Sequence, residues 1–154
     1  MRGPKGLLLW GGIPLVEYQV NALLDAGVSK VVVVLGHNAG ALCSFVKPVD
    51  QVQTVINLQY RTGRSSSVRA GLRHVPESAK SIMVIGVDQP RSSKVLRQVI
   101  DTHLESGSRI TYPVYAGRGG HPVIFDAALL PELMRIRESR HGLREVLQLR
   151  HSEA

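Results

Sequence analysis

Cysteine is nearly missing from this chain: Cys43 is the single thiol in 154 residues. An internal disulfide is therefore excluded, and a reducing, cytoplasmic setting is the expectation. Cys43 lies in ALCSFV and reads as a small apolar helix residue rather than a nucleophile. Aromatic residues are scarce as well, with one tryptophan, two phenylalanines and four tyrosines. Basic and aromatic positions do not interleave, so no stacking platform for single-stranded nucleic acid is present. No apolar run approaches the roughly 18 residues that a bilayer-spanning helix needs. The start, MRGPKGLLLWGG, is basic but places glycine and proline where a signal peptide needs an apolar centre and a cleavage site. Acidic residues are in deficit, 12 against 19 lysines and arginines, for a formal charge of +7. That surplus is scattered rather than gathered in a tail. It suits a phosphate-rich small molecule better than a nucleic acid, while a merely solvated basic surface explains many single arginines equally well.

What is present is alternation. With 44% hydrophobic residues the chain can bury a core as one domain over residues 1–154. Pro14 sits at a natural first helical position and Gly27 at a natural stop, so PLVEYQVNALLDAGV reads as a helix, with Leu15, Tyr18, Leu23 and Ala26 on one face. KVVVVLGH is a β-branched run of the kind buried on both faces of a sheet. A helix over about residues 39–46 follows, then a strand in QVQTVIN and a serine-capped helix in SSSVRAGLRHV. SIMVIGVDQP is a second buried strand, and SSKVLRQVIDTHLESG is a helix with a serine cap and Gly107 as its stop. RITYPVYAG and HPVIFD read as strands around the loop AGRGGH; AALLPELMRIRE and GLREVLQL read as helices. Strands alternating with helices predict an α/β domain with a mostly parallel sheet. No repeat, linker or low-complexity segment interrupts it.

In such sheets ligands bind beyond the carboxyl ends of the strands. The residues to inspect are then Gly36 and His37, Asn57 to Ser67, Asp88 to Pro90, and Gly117 to Pro122. Asp88 emerges from a buried strand, where a carboxylate can hold Mg²⁺ with the help of substrate phosphates; a turn aspartate is the plain alternative. Asn57, Gly63, Ser66, Ser67 and Arg69 cluster around a helix start, whose free N–H groups suit phosphate or a polar base edge. A serine there can equally be a simple cap. Lys5 follows Gly-Pro and can act as a point charge toward phosphate, or be a surface lysine. His121 and Pro122 stand in a glycine-rich loop, where a neutral imidazole can orient a substrate oxygen or merely pack on the proline.

Taken together, PKGLLLWGGIPLVEYQVNALLDAGVSKVVVVLGH, GRSSSVRAGL, GVDQP and GHPVIF stand in the order and spacing of the MobA-like nucleotidyltransferases. The chain resembles the molybdenum-cofactor cytidylyl- and guanylyltransferases over nearly its whole length. The resemblance implies a Rossmann-like three-layer α/β/α fold. It implies transfer of a nucleoside monophosphate from a nucleoside triphosphate to a phosphorylated acceptor, molybdopterin, with release of pyrophosphate. It makes Lys5 the phosphate-binding lysine and Asp88 the Mg²⁺ ligand. It sets Asn57, Gly63, Ser66, Ser67 and Arg69 around the nucleotide, and His121 and Pro122 toward the acceptor. The forms PKxLLxW and GHPV lean to CTP over GTP. Nucleic acid and membrane are not among the implied partners; self-association and delivery to a molybdoenzyme stay open. A catalytically inactive nucleotide-fold protein with a binding role is the competing reading.

Departures from the family pattern carry a structural expectation. The family opens with a strand and a loop of the form Leu-Ala-Ala-Gly-x-Ser-x-Arg-Met-Gly before Pro-Lys; here only Met1 onward is present, with Arg2 in a glycine position. Beyond GLREVLQ the family adds a strand and a segment with a second metal-binding carboxylate, whereas this chain ends in RHSEA. The chain thus reads as truncated at both ends. The absent first strand would lie between the strand at residues 30–35 and the one at 81–86. Two unpaired edges should face a gap there, and each unpaired buried backbone group costs about 1–3 kcal/mol. Against a typical total stability of roughly 5–15 kcal/mol, the chain is expected to be weakly stable, to rearrange, or to recruit a strand from another copy. A cooperative, monomeric and thermally robust melt would overturn that expectation.

Overall fold

The computed structural model describes residues 5–151, so the expectations placed on Met1 and Arg2 fall outside it. A hairpin comes first. Strands β1 (Leu9–Trp10) and β2 (Ile13–Pro14) pair around Gly11 and Gly12, whose φ values of 60° and 87° are those a tight hairpin turn demands. Helix α1 (Leu15–Asp25) starts directly after Pro14, which caps the helix in an extended conformation instead of forming its first turn. Strands β3 (Val31–Leu35) and β4 (Val52–Ile56) run parallel, in register from Val31 against Val52 to Leu35 against Ile56. Between them α2 (Ala39–Cys43) is shorter than the sequence suggests, and Cys43 is exposed rather than packed.

Helix α3 (Arg64–Leu72), strand β5 (Ser81–Val84) and helix α4 (Ser93–Ser106) follow. Ser92 caps α4 by accepting from the Val95 N–H, and Gly107 closes it at a φ of 62°, as the sequence indicates. The expected strand RITYPVYAG breaks in two. Strand β6 is only Ile110–Thr111, because Pro113 has no N–H to give to a ladder. Strands β7 (Val114–Tyr115) and β8 (Arg118–Gly119) turn into a separate exposed hairpin. Strand β9 (Val123–Asp126) is antiparallel to both β5 and β6, which are therefore parallel to each other. Helices α5 (Leu130–Leu133) and α6 (Leu143–His151) complete the order, α5 being a short remnant of the helix read in AALLPELMRIRE. No helix among the described residues is long and apolar enough to cross a membrane.

The strands sort their side chains between two helical layers, which makes this a Rossmann-like three-layer α/β/α fold. On one face Val20, Ala22 and Leu23 of α1, Ala26 just after it and Leu96 of α4 pack on Val31, Val33, Met83 and Ile85. On the other, Leu72 of α3 joins Ile82, Val123, Phe125, Leu129, Leu133, Ile136 and Val146. Side chains alternate along β5 and into the residue after it: Ile82 and Val84 face one layer, Met83 and Ile85 the other. Phe125, Leu96, Leu129 and Leu133 are wholly buried.

Among the described residues no ladder joins β3 to β5. Hydrogen bonds tie β3 to β4 in one group and β5, β9 and β6 in another, so one edge of β3 and one of β5 carry no strand. The two unpaired edges foreseen in the sequence are therefore present. Side chains from α1 and α4 span the seam between the groups. Buried on the same face of α1 is Gln19, whose amide nitrogen and oxygen find no partner among the described residues.

The ladder's phase gives a direct test of the seam. Val31 N–H donates to Gln51 and Asn57 N–H to Leu35, so the alternate residues Val32 and Val34 point their amides away from β4. Native-state hydrogen exchange should find Val32 and Val34 at least about 10-fold less protected than Val33 and Leu35, because unpaired amides exchange without local opening. Equal protection at all four would mean that a partner closes the seam in solution.

Candidate functional site

The site is built where strand ends meet helix starts. Four residues beyond the end of β5, Asp88 turns its carboxylate toward two cations from distant parts of the chain. Lys5 Nζ donates to Asp88 Oδ2 at 2.9 Å, and Arg64 Nη2 lies 3.5 Å from Asp88 Oδ1. Each oxygen of the carboxylate thus faces a different positive group. Asp88 is 26% exposed, whereas the Lys5 and Arg64 side chains are 69% and 74% exposed, so the acid is anchored and the cations are reachable from solvent. Glycines make the approach feasible. A Cβ on Gly86 would meet Asp88 Oδ1 at 2.8 Å, and one on Gly6 would meet Leu42 Cδ2 at 2.8 Å. Gly6 is buried, and this seats the turn carrying Lys5 against α2.

The hydrogen bond from Lys5 holds the Asp88 carboxyl below the usual carboxylate range; partial burial works against this, and the charges of Lys5 and Arg64 reinforce it. Asp88 is accordingly an anion at neutral pH, which is the state that can ligate a divalent cation. His121 belongs to the same crevice. Burial lowers its pKa first, a backbone hydrogen bond with Val84 opposes that, Arg64 and Arg91 lower it further, and Asp88 raises it. The imidazole is thus neutral at pH 7, and its buried Nδ1 has no partner among the described residues. Arg91 fixes the loop: its Nε donates to the His121 carbonyl at 3.2 Å and its Nη1 to the Pro90 carbonyl at 2.9 Å. Pro122 is wholly buried behind His121, across a cis peptide bond.

A second group surrounds the start of α3. Asn57 Nδ2 donates to the hydroxyls of Ser66 and Ser67 at 2.9 and 3.0 Å, and Asn57 Oδ1 accepts from the Gln59 N–H at 3.0 Å. Ser66 Oγ stands 2.8 Å from the Gly63 carbonyl and 3.0 Å from that of Gln59. Arg69 donates to the Ile136 carbonyl. The serines do not cap the helix. Gly63 occupies the cap position at a φ of 111°, and the capping carboxylate comes from Glu138, which accepts from Ser65 N–H at 3.0 Å and Ser65 Oγ at 2.8 Å. The helix start that the sequence offers to phosphate or base is therefore occupied by the chain's own acid. A cavity of about 550 Å³ opens beside it, lined in part by Thr62, Ser65, Ser66, Arg69, Arg137 and Glu138.

The structure thus brings Lys5, Asp88 and His121 into one cluster, and Asn57, Gly63, Ser66, Ser67 and Arg69 into another. His37 belongs to neither: its ring packs on Tyr60 with centroids 5.9 Å apart. Sequence reasoning gave no role to Arg64, which joins the clusters although it lies in the stretch marked for inspection, nor to Arg91 and Glu138. Arg64 had a signal. It is the first residue of α3, where the helix dipole disfavours a cation, so its presence there asks for an outside partner. Glu138 had none, because it acts across 73 positions of sequence. Among the described residues no three His, Cys, Asp or Glu side chains converge as a protein-only metal cage would. Asp88 fits a divalent ion as a lone carboxylate whose other ligands come from substrate phosphate and water.

Comparison with known proteins gives this geometry its relatives. The family model described as the MobA-like NTP transferase domain matches residues 1–154. A nicotine blue oxidoreductase from Paenarthrobacter nicotinovorans is 32% identical over 155 residues, covering 96% of this chain and 74% of that protein. A manganese complex of Rv0371c from Mycobacterium tuberculosis H37Rv superposes with a TM-score of 0.76 at 28% identity, covering 97% of this chain and 76% of that one. A nucleotidyl transferase from Methanothermobacter thermautotroptrophicus, Mth528, gives a TM-score of 0.68 at 26% identity, over 86% of this chain and 63% of the other.

The Glu138 cap makes a prediction of its own. Replacing Glu138 with alanine should lower stability by about 1 kcal/mol at pH 7, the usual worth of a helix cap. The Ser65 N–H, and after it the Ser65 hydroxyl, lower the folded pKa of Glu138 below its ordinary 4.5. A lowered pKa contributes stability above the unfolded value and loses it as pH falls through the folded one. Urea midpoints of wild type and Glu138→Ala should therefore differ at pH 7 and converge well below pH 4.5. A gap independent of pH would mean that the carboxylate charge is not the cause.

Proposed function

As this chain belongs to the MobA-like NTP transferase family, within the wider nucleotidyltransferase superfamily, we propose that it moves a nucleoside monophosphate from a nucleoside triphosphate to a phosphorylated acceptor. The preferred donor is CTP, ahead of GTP, and the acceptor is molybdopterin or a closely related phosphate ester, in the cytoplasm. The observation that carries this reading is the Asp88 carboxylate at the end of β5, ionised and flanked by Lys5 and Arg64.

The reaction asks for positioning and charge rather than a covalent nucleophile. An acceptor phosphate oxygen attacks the α-phosphorus, the bond to the bridging oxygen breaks, and pyrophosphate leaves with the electron pair. Lys5 offsets charge on the triphosphate as an exposed point charge. A divalent ion, when bound, supplies charge neutralisation for the phosphate oxygens, and Asp88 is the residue that would hold it. His121, neutral and beside Asp88, and Pro122 behind it shape the acceptor side. Asn57, Gly63, Ser66, Ser67 and Arg69 form the nucleotide side. Their polar groups largely satisfy one another, so the base would be read by a rigid rim rather than by free side chains.

A second reading rests on one observation, the identity to a protein named nicotine blue oxidoreductase. On it the same crevice takes a nucleotide-bearing redox cofactor and no phosphoryl transfer occurs. A third, inactive reading keeps nucleotide binding without turnover. Pyrophosphate release from CTP, GTP and ATP, measured with molybdopterin and Mg²⁺, sets the first reading apart from the other two: release supports transfer, and its absence with all three nucleotides removes it.

If transfer occurs, Asp88→Ala should lower turnover by at least about 100-fold, the scale seen when a preorganised charge partner of a transition state is lost. Retention of most activity would take Asp88 out of the metal-holding role.

A further inference from the structure

We propose that Arg64 is a triphosphate-gripping side chain, held on Asp88 until nucleotide enters and then exchanged onto phosphate oxygens. The inference rests on the nucleotide-binding reading above and assigns a role to a residue that this reading leaves without one.

Position is the first argument. Arg64 opens α3, where the positive end of the helix dipole repels a guanidinium. Its side chain is 74% exposed; its ion pair is with Asp88 at 3.5 Å, and the Glu138 carboxylate at the same helix start is a further electrostatic neighbour. An exposed arginine at a helix start, whose ion pair to Asp88 is long, is a group set up to move. The occupancy of the carboxylate is the second argument. Lys5 holds Oδ2 at 2.9 Å and Arg64 approaches Oδ1 only to 3.5 Å. A divalent cation that binds Asp88 competes for oxygens that already face an ammonium and a guanidinium. The longer and more exposed Arg64 contact is the cheaper one to break. A displaced guanidinium beside the crevice needs a new anion, and its planar fork matches two oxygens of a phosphate. The floor of the crevice is open for this motion. Gly86 lies beneath both groups, and a Cβ there would come within 2.8 Å of Asp88 Oδ1 and 3.8 Å of Arg64 Nη2.

The exchange predicts effects of opposite sign on two ligands, which a merely structural role would not produce. Binding of CTP in EDTA, followed by titration calorimetry, should weaken about 10-fold in Arg64→Ala, the scale of one charge-assisted phosphate contact. Its salt dependence should flatten as well. Mn²⁺ alone, followed by electron paramagnetic resonance without nucleotide, should bind about twofold to fivefold more tightly in the same variant, because a competing exposed ion pair is gone. Arg64→Lys should recover part of the CTP affinity through charge but not the bidentate share. It also serves as the folded comparison should Arg64→Ala lose its circular dichroism signature. Unchanged CTP affinity in the variants, or unchanged or weaker Mn²⁺ binding, overturns the proposal. If the wild-type protein binds none of CTP, GTP and ATP, the nucleotide reading itself fails, and the Arg64 role falls with it for that separate reason.

Discussion

The Asp88 carboxylate organises the functional end of this protein. It sits beyond β5, and its two oxygens draw in Lys5 from the start of the chain and Arg64 from the tip of α3. Remove that charge and two exposed cations lose the anion that gathers them, and the imidazole of His121 loses a neighbour that raises its pKa. Small residues serve the same end. Gly6 lets the Lys5 turn lie flat on Leu42, and Gly86 leaves room for the carboxylate itself. Two cations around one acid leave the crevice net positive, in keeping with a charge of +7 for the whole chain and with an anionic ligand.

The other cluster obeys the opposite logic. Around α3 almost every polar group is already answered: Asn57 by Ser66, Ser67 and Gln59, the first turn of the helix by Glu138, Arg69 by the Ile136 carbonyl. Such a network is rigid and makes a reliable rim, because each partner would pay a desolvation penalty on leaving. The loosely held charges at Asp88 and the tightly held amides at Asn57 thus divide the work between mobility and shape.

Between the two halves of the sheet runs the seam. No ladder links β3 to β5 among the described residues, and the halves meet through α1 and α4. Side-chain packing alone makes a softer joint than a hydrogen-bonded strand pair, and Gln19 adds a buried amide without a partner. The functional cluster lies at this joint, since Asp88 follows β5 while Gly6, next to Lys5, lies against Leu42 of α2. Stability and site geometry are therefore coupled: any slip at the seam would move Lys5 relative to Asp88.

Local pattern was enough to place most elements. The β-branched run became β3, Ser92 and Gly107 bounded α4, and the place of Asp88 beyond a strand end followed from the apolar residues before it, although that strand is only half-buried. The resemblance to the MobA-like transferases likewise rested on short motifs that survive in order. Local pattern failed where competition was tertiary. Pro113 split a strand, and the serines of α3 ceded the cap to an acid 73 positions away. Periodicity and turn chemistry act over a few residues, so the sequence alone could set helices, strands and the acid at a strand end. Which cation meets that acid, and which carboxylate closes α3, depends on how crossovers stack distant segments; only the assembled layers decided that Lys5, 83 positions from Asp88, and Arg64 would share one carboxylate.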